Sequence, residues 1–269
     1  MKNKIQSILS FFSLLLILST SCKAQTIKAR KLVKNTDAAL NSIETKIFRI
    51  DRKVMPFSKS DTIQTTAICS LKVNREDIVA AAYHKIDVLG AKNNYTFTKY
   101  DGNNLLISRS TLDSLSYPSK THIINKEDNN FLSYIYGFDD YLIMGHYETK
   151  RPFRQMNSLI AKLFYIKKVN VEEAIHNGTP VYILSISTRN RKNFMEDAVM
   201  HHYIRKSDFL PIAYSFSGHF ENIEEYEYYE IEYLNINSNI PLEHFTVHEE
   251  DQQLILKDLY KDFTERLNQ

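Results

Sequence analysis

Histidines are the side chains from which this sequence would most readily build a metal site. His201 and His202 are adjacent in a segment with strand character, where successive side chains point to opposite faces of a sheet. His244 and His248 have the spacing that places two ligands on one helix face, but the residues between them are β-prone, and four strand residues span about 13 Å. We therefore expect neither pair to bind a metal, and no metal site is predicted.

The serine and cysteine residues of the sequence do not occur in known catalytic motifs either. The sequence contains no G-x-S-x-G, S-x-x-K or H-E-x-x-H motif, and its glycines are too far apart to form a phosphate-binding loop. Cys69 lies on the apolar side of an alternating strand, which predicts a small buried hydrophobe instead of a reactive thiol. We predict no catalytic residue and no cofactor, and the protein is not expected to be an enzyme.

The segment Glu221–Glu232 concentrates negative charge, with six glutamates, three tyrosines and no basic residue. It would suit a docking surface for a basic partner, or a solvated strand whose cross-strand neighbours are lysine and arginine, and the second interpretation is favoured. Such a density also places some carboxylates close together, as acid and base catalysis requires, but nothing in the sequence selects a pair.

The N-terminus has the pattern of an export signal, predicted over residues 1–24. Lys2 and Lys4 precede the apolar run Ile8–Leu18, which is too short to cross a bilayer, and small residues follow. Two processing routes fit. Cleavage before Cys22 would leave an acylated cysteine that anchors a lipoprotein at the outer membrane, which is the expected form, whereas cleavage after Ala24 would leave a soluble periplasmic protein.

The net charge of the exported chain limits the classes of partner that it can bind, and its cysteine content limits the disulfides that it can form. The whole sequence has a formal net charge of +2, and both excess lysines belong to the signal, so the exported chain is neutral. A nucleic-acid binder would show a basic excess, so no nucleic-acid partner is expected. Membrane contact would come through an acylated Cys22. Cys69 is then the remaining thiol, which excludes an intramolecular disulfide.

Periodicity predicts the elements that must position any site. A helix is expected over 27–41, another over Met156–Phe164 and a last one over Glu249–Leu267. Asp101-Gly102 and Asn177-Gly178 mark hairpin turns between alternating segments. The predicted strands are Thr45–Met55, 62–73, Val79–Leu89, Asn94–Tyr100, Leu105–Ser110, Phe164–Ala174, Val181–Ser187, Met200–Lys206, Pro211–Phe220 and Glu224–Asn237. The sheet is expected to be antiparallel and to form one domain.

Aromatic side chains recur on the apolar sides of these strands. They would line a ligand cavity or fill the core of a closed sandwich, and both interpretations stay open from the residues alone. The predicted lining residues are Leu71, Tyr95, Phe97, Ile212, Tyr214 and Phe216.

Three motifs carry a family resemblance. Tyr100-Asp101-Gly102-Asn103, the segment Tyr203–Ile212 and the segment Ile240–Phe245 lie in an order that resembles the LolA/LolB family of lipoprotein-sorting and carrier proteins. The chain is also similar to the LolA-like domain of some envelope TlpA-type proteins. The resemblance assigns 25–248 to a LolA-like domain and leaves 249–269 as a C-terminal helix. No thioredoxin module and no C-x-x-C motif accompany it, and no functional residue of the family can be matched.

The resemblance implies a β-dominated α+β fold in which a strongly curved antiparallel sheet forms an incomplete barrel covered by helices. It also implies a non-enzymatic protein of the cell envelope that binds an apolar ligand, the acyl chain of a lipid or lipoprotein, in sorting or transport. Two other functions remain: an interaction or sensor module with an envelope protein partner, and a hydrolase of unknown substrate.

Overall fold

The computed structural model describes residues 29–55, 62–77, 82–131, 134, 166–188, 196–220 and 223–268. The predicted signal segment with Cys22 and the predicted helix Met156–Phe164 lie outside these residues. Within them, helix α1 covers residues 29–41 and helix α2 covers Lys257–Leu267. Neither is long and apolar enough to cross a membrane, and the same holds for every helix in the described ranges.

Eleven antiparallel strands form one sheet in the order β6-β5-β4-β3-β2-β1-β11-β10-β9-β8-β7. Each strand pairs with its sequence neighbours except that β6 does not pair with β7, and β1 pairs with β11 in the middle of the sheet. The sheet therefore stays open, with β6 and β7 as its edges, and the predicted β-dominated α+β fold is confirmed. The strands are β1 (Thr45–Met55), β2 (Ile63–Val73), β3 (Ala82–Leu89), β4 (Asn94–Tyr100), β5 (Asn104–Thr111), β6 (Lys120–Asn125), β7 (Ile166–His176), β8 (Thr179–Thr188), β9 (Glu196–Arg205), β10 (Pro211–Phe220) and β11 (Ile223–Ile236).

Helices pack on both sides of the sheet, and we name each side after its helix. On the α1 face, Leu32 and Val33 of the helix contact Leu184 and Ile204 of the sheet. The register continues this face from β8 through β11 and β1 to β5, where its core contains Phe48, Ile50, Cys69, Leu71, Ile86 and Leu105. On the α2 face, residues of α2 pack on Ile68, Tyr95, Phe97 and Leu106. The sheet is thus a middle layer with an apolar core on each side.

The predicted strands recur within a few residues of their expected bounds, and both predicted hairpin turns are present. Asn177 and Gly178 have φ values of 47° and 79°, the left-handed pair that a two-residue hairpin requires. Strand β6 was not predicted. It is only six residues long, and apolar and polar residues alternate little along it.

The predicted helix Glu249–Leu267 is wrong in its first half. Glu249–Gln253 form a short 3₁₀ helix, and Leu254 is extended, with φ −63° and ψ 128°. Ile255 pairs with Pro118 in an isolated antiparallel bridge, and the amide and hydroxyl of Ser119 both donate to the carbonyl of Leu254. These hydrogen bonds hold the two residues extended, so the α-helix begins only at Lys257.

Candidate functional site

The structure divides the six predicted lining residues between the two faces of the sheet. Leu71 on β2 and the three residues of β10 lie on the α1 face, whereas the two residues of β4 lie on the α2 face. The α1-face group is Leu71, Ile212, Tyr214 and Phe216, and the α2-face group is Tyr95 and Phe97. The six side chains therefore do not share one cavity.

Tyr95 and Phe97 belong to the core beneath the C-terminal helix. The Tyr95 ring lies 5.7 Å from that of Phe263 and 5.4 Å from that of Tyr260, measured between centroids. Its hydroxyl donates to the buried carboxylate of Asp87. Every direction around Tyr95 is thus filled by protein side chains, which leaves it the environment of a core residue.

Tyr214 lies in a row of rings across the α1 face. Its ring centroid is 5.1 Å from His202 on one side and 5.8 Å from Tyr229 on the other. The guanidinium of Arg52 lies over the Tyr229 ring at 5.3 Å and forms an ion pair with Glu227 at 3.5 Å. The row of rings is therefore only partly apolar, because the charged guanidinium of Arg52 lies against Tyr229.

A cavity of about 350 Å³ lies between α1 and the edge of the sheet formed by β7 and β8. This volume falls at the small end of the roughly 300–1,000 Å³ that small-molecule sites enclose. Helix α1 contributes one wall and the strands another, while the turn after β9 adds an aromatic ring. The lining residues are Lys31, Leu32, Asn35, Val171, Glu172, Glu173, Tyr182 and Phe209.

Phe209 is held in the cavity wall by the turn that joins β9 to β10. Its φ of 61° is left-handed, which is unusual for a bulky residue and indicates that the surrounding contacts enforce it. Arg205 forms a two-pronged ion pair with Asp208, and the Phe209 amide donates to the carbonyl of Arg205 at 2.9 Å. The ring is thereby stacked on Tyr182, with 6.3 Å between centroids and 7° between planes. A rigid turn therefore presents a flat aromatic pair to the cavity.

Charges surround the mouth of the cavity. The Lys206 ammonium bonds to Glu173 at 2.6 Å and lies 5.0 Å over the Tyr182 ring. Glu172 and Glu173 are adjacent on β7, so their side chains leave opposite faces of the strand and cannot act as a catalytic pair across the cavity. Among the described residues that line the cavity there is no histidine, serine or cysteine. The arrangement suits an apolar ligand with a polar end at the mouth.

Two polar side chains are buried elsewhere on the α1 face without hydrogen-bond partners in the described part of the chain. Lys46 is 1% exposed and its ammonium lies 5.1 Å from the centroid of the Phe48 ring. His84 is 0% exposed, and both of its ring nitrogens are unpaired. Burial lowers the pKa of Lys46 to about 7 and that of His84 to about 3. Both side chains therefore lack the polar contacts that water would have given them.

The other candidates from the sequence have ordinary structural roles. Cys69 is fully buried, as predicted, and burial raises the pKa of its thiol. His201 and His202 point to opposite faces, with Nδ1 of His201 sharing a hydrogen bond with the Ser185 hydroxyl at 2.8 Å. Across the described residues, no three histidine, cysteine or carboxylate side chains gather as a metal site would require.

The acidic strand β11 has some of the basic neighbours that the favoured interpretation requires. Glu232 lies directly opposite Arg49 on β1, which forms an ion pair with Asp51, and Glu227 pairs with Arg52. Glu230 lies opposite Asp51, accepts a hydrogen bond from the Asn177 side chain and lies 3.8 Å from His176. The negative charge of this strand is thus balanced within the sheet only in part.

Sequence reasoning did not single out the residues that line the cavity. Leu32 lies inside the helix predicted over 27–41, and Phe209 lies inside the Tyr203–Ile212 motif of the resemblance. Val171 and Tyr182 carried only the alternation of ordinary strands. No signal in the sequence indicated that these four side chains would meet, because their contact depends on where α1 crosses the sheet.

Comparison with known proteins gives matches among solved structures only. No family model matches the chain, and no curated protein matches it significantly. MucB is 12% identical over 83% of this chain and 64% of its own, with a TM-score of 0.44, and a crystal structure describes MucB of Pseudomonas aeruginosa with MucA. Lipoprotein LppX of Mycobacterium tuberculosis is 9% identical over 80% of this chain and 98% of its own, with a TM-score of 0.41.

A LolA superfamily protein from Nitrosomonas europaea is 10% identical over 81% of this chain and 97% of its own, with a TM-score of 0.23. The chain spans slightly less than two thirds of the length of MucB.

Proposed function

We propose that this protein is a non-enzymatic binding protein of the cell envelope that holds the acyl chain of a lipid or lipoprotein between α1 and the sheet. The observation that carries the proposal is the cavity of about 350 Å³ beneath α1, walled by Leu32, Val171, Tyr182 and Phe209. Burial of methylene groups against such a wall contributes roughly 0.8 kcal/mol for each CH₂. A chain of several methylenes therefore gains enough free energy to bind without any covalent step.

The four predicted lining residues on the α1 face extend the proposed contact surface. Ile212, Tyr214 and Phe216 alternate along β10, and Leu71 lies on the same face at β2. In this account the ligand enters at the cavity and its chain follows the apolar α1 face, with sorting or transport of the acylated cargo as the cellular role. Tyr95 and Phe97 take no part in it, since α2 covers them.

The first test asks whether the purified full chain carries lipid. The protein is prepared without detergent, extracted and analysed by mass spectrometry, then titrated with a long-chain fluorescent fatty acid. We expect co-purified lipid or saturable binding of the probe. A protein that returns no lipid and also ignores the probe would contradict the proposal.

Two variants locate the binding to the cavity. Phe209→Ala removes the stacked ring and Val171→Phe fills the space, so each should weaken binding of the probe roughly tenfold or more. Tyr117→Ala removes a ring that is 69% exposed in the connection between β5 and β6, far from the cavity in the sequence of strands, and serves as the matched control. Binding that survives both cavity variants unchanged would place the ligand elsewhere.

Export and anchoring form a separate part of the proposal, supported by the N-terminal sequence alone. We propose that the cysteine at position 22 is acylated and holds the protein at the membrane. Metabolic labelling with an acyl probe should mark the protein and fail to mark Cys22→Ala. Equal labelling of both forms, or of neither, would favour the soluble periplasmic form.

An interaction module remains the alternative that the same preparation can detect. Capture of a defined envelope protein by lipid-free protein would favour it. The acidic strand gives it little support, since Glu227 and Glu230 already contact Arg52, His176 and Asn177.

A further inference from the structure

We infer that the α1 face contains a buried subsite for one negative charge, formed by Lys46 and His84, which binds the carboxylate of a free fatty acid. This inference rests on the proposed function and adds the chemical class of the ligand. It concerns the half of the α1 face formed by β1, β2 and β3, away from the cavity under α1.

Lys46 is the first of the two groups. Its side chain is 1% exposed, and its ammonium has no hydrogen-bond partner anywhere in the described part of the chain. The Phe48 ring, 5.1 Å away, offers a cation–π contact but no lone pair for the three N–H donors. A buried ammonium without an anion is strongly disfavoured, so the site is incomplete as it stands.

His84 is the second. It is fully buried, and neither ring nitrogen has a hydrogen-bond partner among the described residues. The ring packs 5.4 Å from that of Tyr100, whose hydroxyl is already engaged by Asp77 and the carbonyl of Gly102. A neutral imidazole carries one N–H donor, and here that donor has nothing to bond.

The register places both groups around one position. Lys46 on β1 lies opposite Leu71 on β2, and Leu71 lies opposite His84 on β3. The two polar residues are thus two strands apart, roughly 10 Å between Cα atoms, with Leu71 between them on the same face. We place the carboxylate above Leu71, between the two polar side chains, with Cys69 and Ile86 on the same face to contact its chain.

The charges around Lys46 and His84 indicate how much negative charge the ligand should carry. Asp77, the nearest acid to His84, is already bonded by Tyr100 and forms an ion pair with Lys126 at 3.0 Å. One positive charge, on Lys46, is therefore left to balance. A monoanion such as a carboxylate balances it, whereas a phosphate monoester would bury additional charge. A phosphodiester head group also carries one charge, and the experiment separates the two sources.

Burial lowers the pKa of Lys46 to about 7, with the Cys69 thiol as its titratable neighbour. An anion above Leu71 would favour the charged ammonium. Binding should therefore proceed with uptake of a proton at and above neutral pH.

The experiment compares ligands that differ only in their charged end. The full chain is titrated calorimetrically with a long-chain fatty acid, with the alcohol of equal length, and with vesicles containing phosphatidylglycerol. We expect the acid to bind about tenfold to a hundredfold more tightly than the alcohol, as a charge-assisted hydrogen bond predicts. Lys46→Met should bring the two affinities within about twofold while the alcohol still binds, which also reports that the variant is folded.

Lys72→Met is the matched control, because Lys72 lies on β2 with its ammonium bonded to the carbonyl of Ile240 at 2.9 Å. It should keep the full preference for the acid, and His84→Leu should lose part of it. Equal binding of acid and alcohol by the unmodified protein, or a preference that survives Lys46→Met, would overturn the inference and leave the proposed function standing. A Lys46-dependent preference for phosphatidylglycerol without one for the fatty acid would overturn the choice of carboxylate. Failure of every ligand to bind would instead contradict the proposed function.

Discussion

On the α2 face the buried carboxylate of Asp87 accepts hydrogen bonds from Tyr95 and Arg266, whereas on the α1 face the ammonium of Lys46 and the ring of His84 have no partner among the described residues. Both faces are apolar and both are covered by a helix. They differ at their buried charged groups, because the carboxylate of Asp87 is paired on the α2 face and the ammonium of Lys46 is not paired on the α1 face. The α2 side still contains a buried nitrogen without a hydrogen-bond partner among the described residues, Nε2 of His244.

Helices α1 and α2 also differ in how completely they pack against the sheet. On α2, Phe263 is fully buried against Tyr95, and Arg266 of the same helix reaches Asp87 at 2.8 Å. Helix α1 packs on Leu184 and Ile204 but leaves a cavity beside Leu32. The α2 contact therefore contributes mainly to stability, and the α1 contact leaves space that function can use.

Phe263→Ala should have the largest effect on stability. Removal of a fully buried phenylalanine from the α2 core is expected to lower the free energy of unfolding by about 3–5 kcal/mol, measured by urea denaturation. Phe209→Ala, on the cavity wall, should lower it by only about 1 kcal/mol. Equal losses would mean that the two faces are equally well packed.

Arg266→Met removes the cation that faces Asp87. The Asp87 side chain is 1% exposed, so an unpaired carboxylate there should lower the free energy of unfolding by about 3 kcal/mol. The control is Arg75→Met, whose ion pair with Glu44 is solvent-exposed and should contribute less than about 0.5 kcal/mol. A loss no greater than that of the control would show that Asp87 does not depend on α2.

Lys46→Met should act in the opposite direction and stabilise the ligand-free protein by on the order of 2 kcal/mol near pH 7. The folded-state pKa of Lys46, about 7, lies below the ordinary lysine pKa of 10.5, so the unfolded chain binds the extra proton between these values. The stability of the unmodified protein should accordingly rise with pH across that window, and the rise should shrink in the variant. Urea denaturation at several pH values measures both effects, and a destabilised variant would contradict them.

Acid should weaken the α1 face through its buried histidines. Burial lowers the pKa of His84 to about 3 and that of His202 to about 4, so each binds a proton more readily in the unfolded chain. Stability should fall as pH drops below about 6.5, by roughly 1 kcal/mol for each histidine near pH 5.5. His84→Leu should reduce this loss of stability. His219→Leu is the control, and it should leave the loss unchanged because His219 is exposed. Identical acid profiles for the two variants would argue against the buried role of His84.

Much of this fold follows from alternation and turn chemistry. The segment Thr45–Met55 was predicted with its observed bounds, and the Asn177-Gly178 turn requires the left-handed backbone that these residues adopt readily. Short strands with few apolar residues are harder to predict from alternation, and strand Lys120–Asn125 was not predicted for that reason.

The site was less predictable, because alternation identifies the two sides of a strand but not the helix that covers each side. Tyr95 and Tyr214 showed the same pattern in the sequence, and the structure places them on opposite faces. Lys46 shares one side of its strand with Phe48 and Ile50, and His84 shares one side of its strand with Ile86. Alternation therefore places both on an apolar side, but it does not show that either side chain lacks a hydrogen-bond partner there.

Amide hydrogen exchange with and without a saturating long-chain fatty acid tests the difference between the two faces most directly. If the α1 face binds the ligand, the ligand should slow exchange in α1, residues 29–41, and leave exchange in α2, Lys257–Leu267, unchanged. Slowed exchange in α2 with none in α1, or no change in either helix under saturating ligand, would contradict the claim that the α1 face is the binding surface.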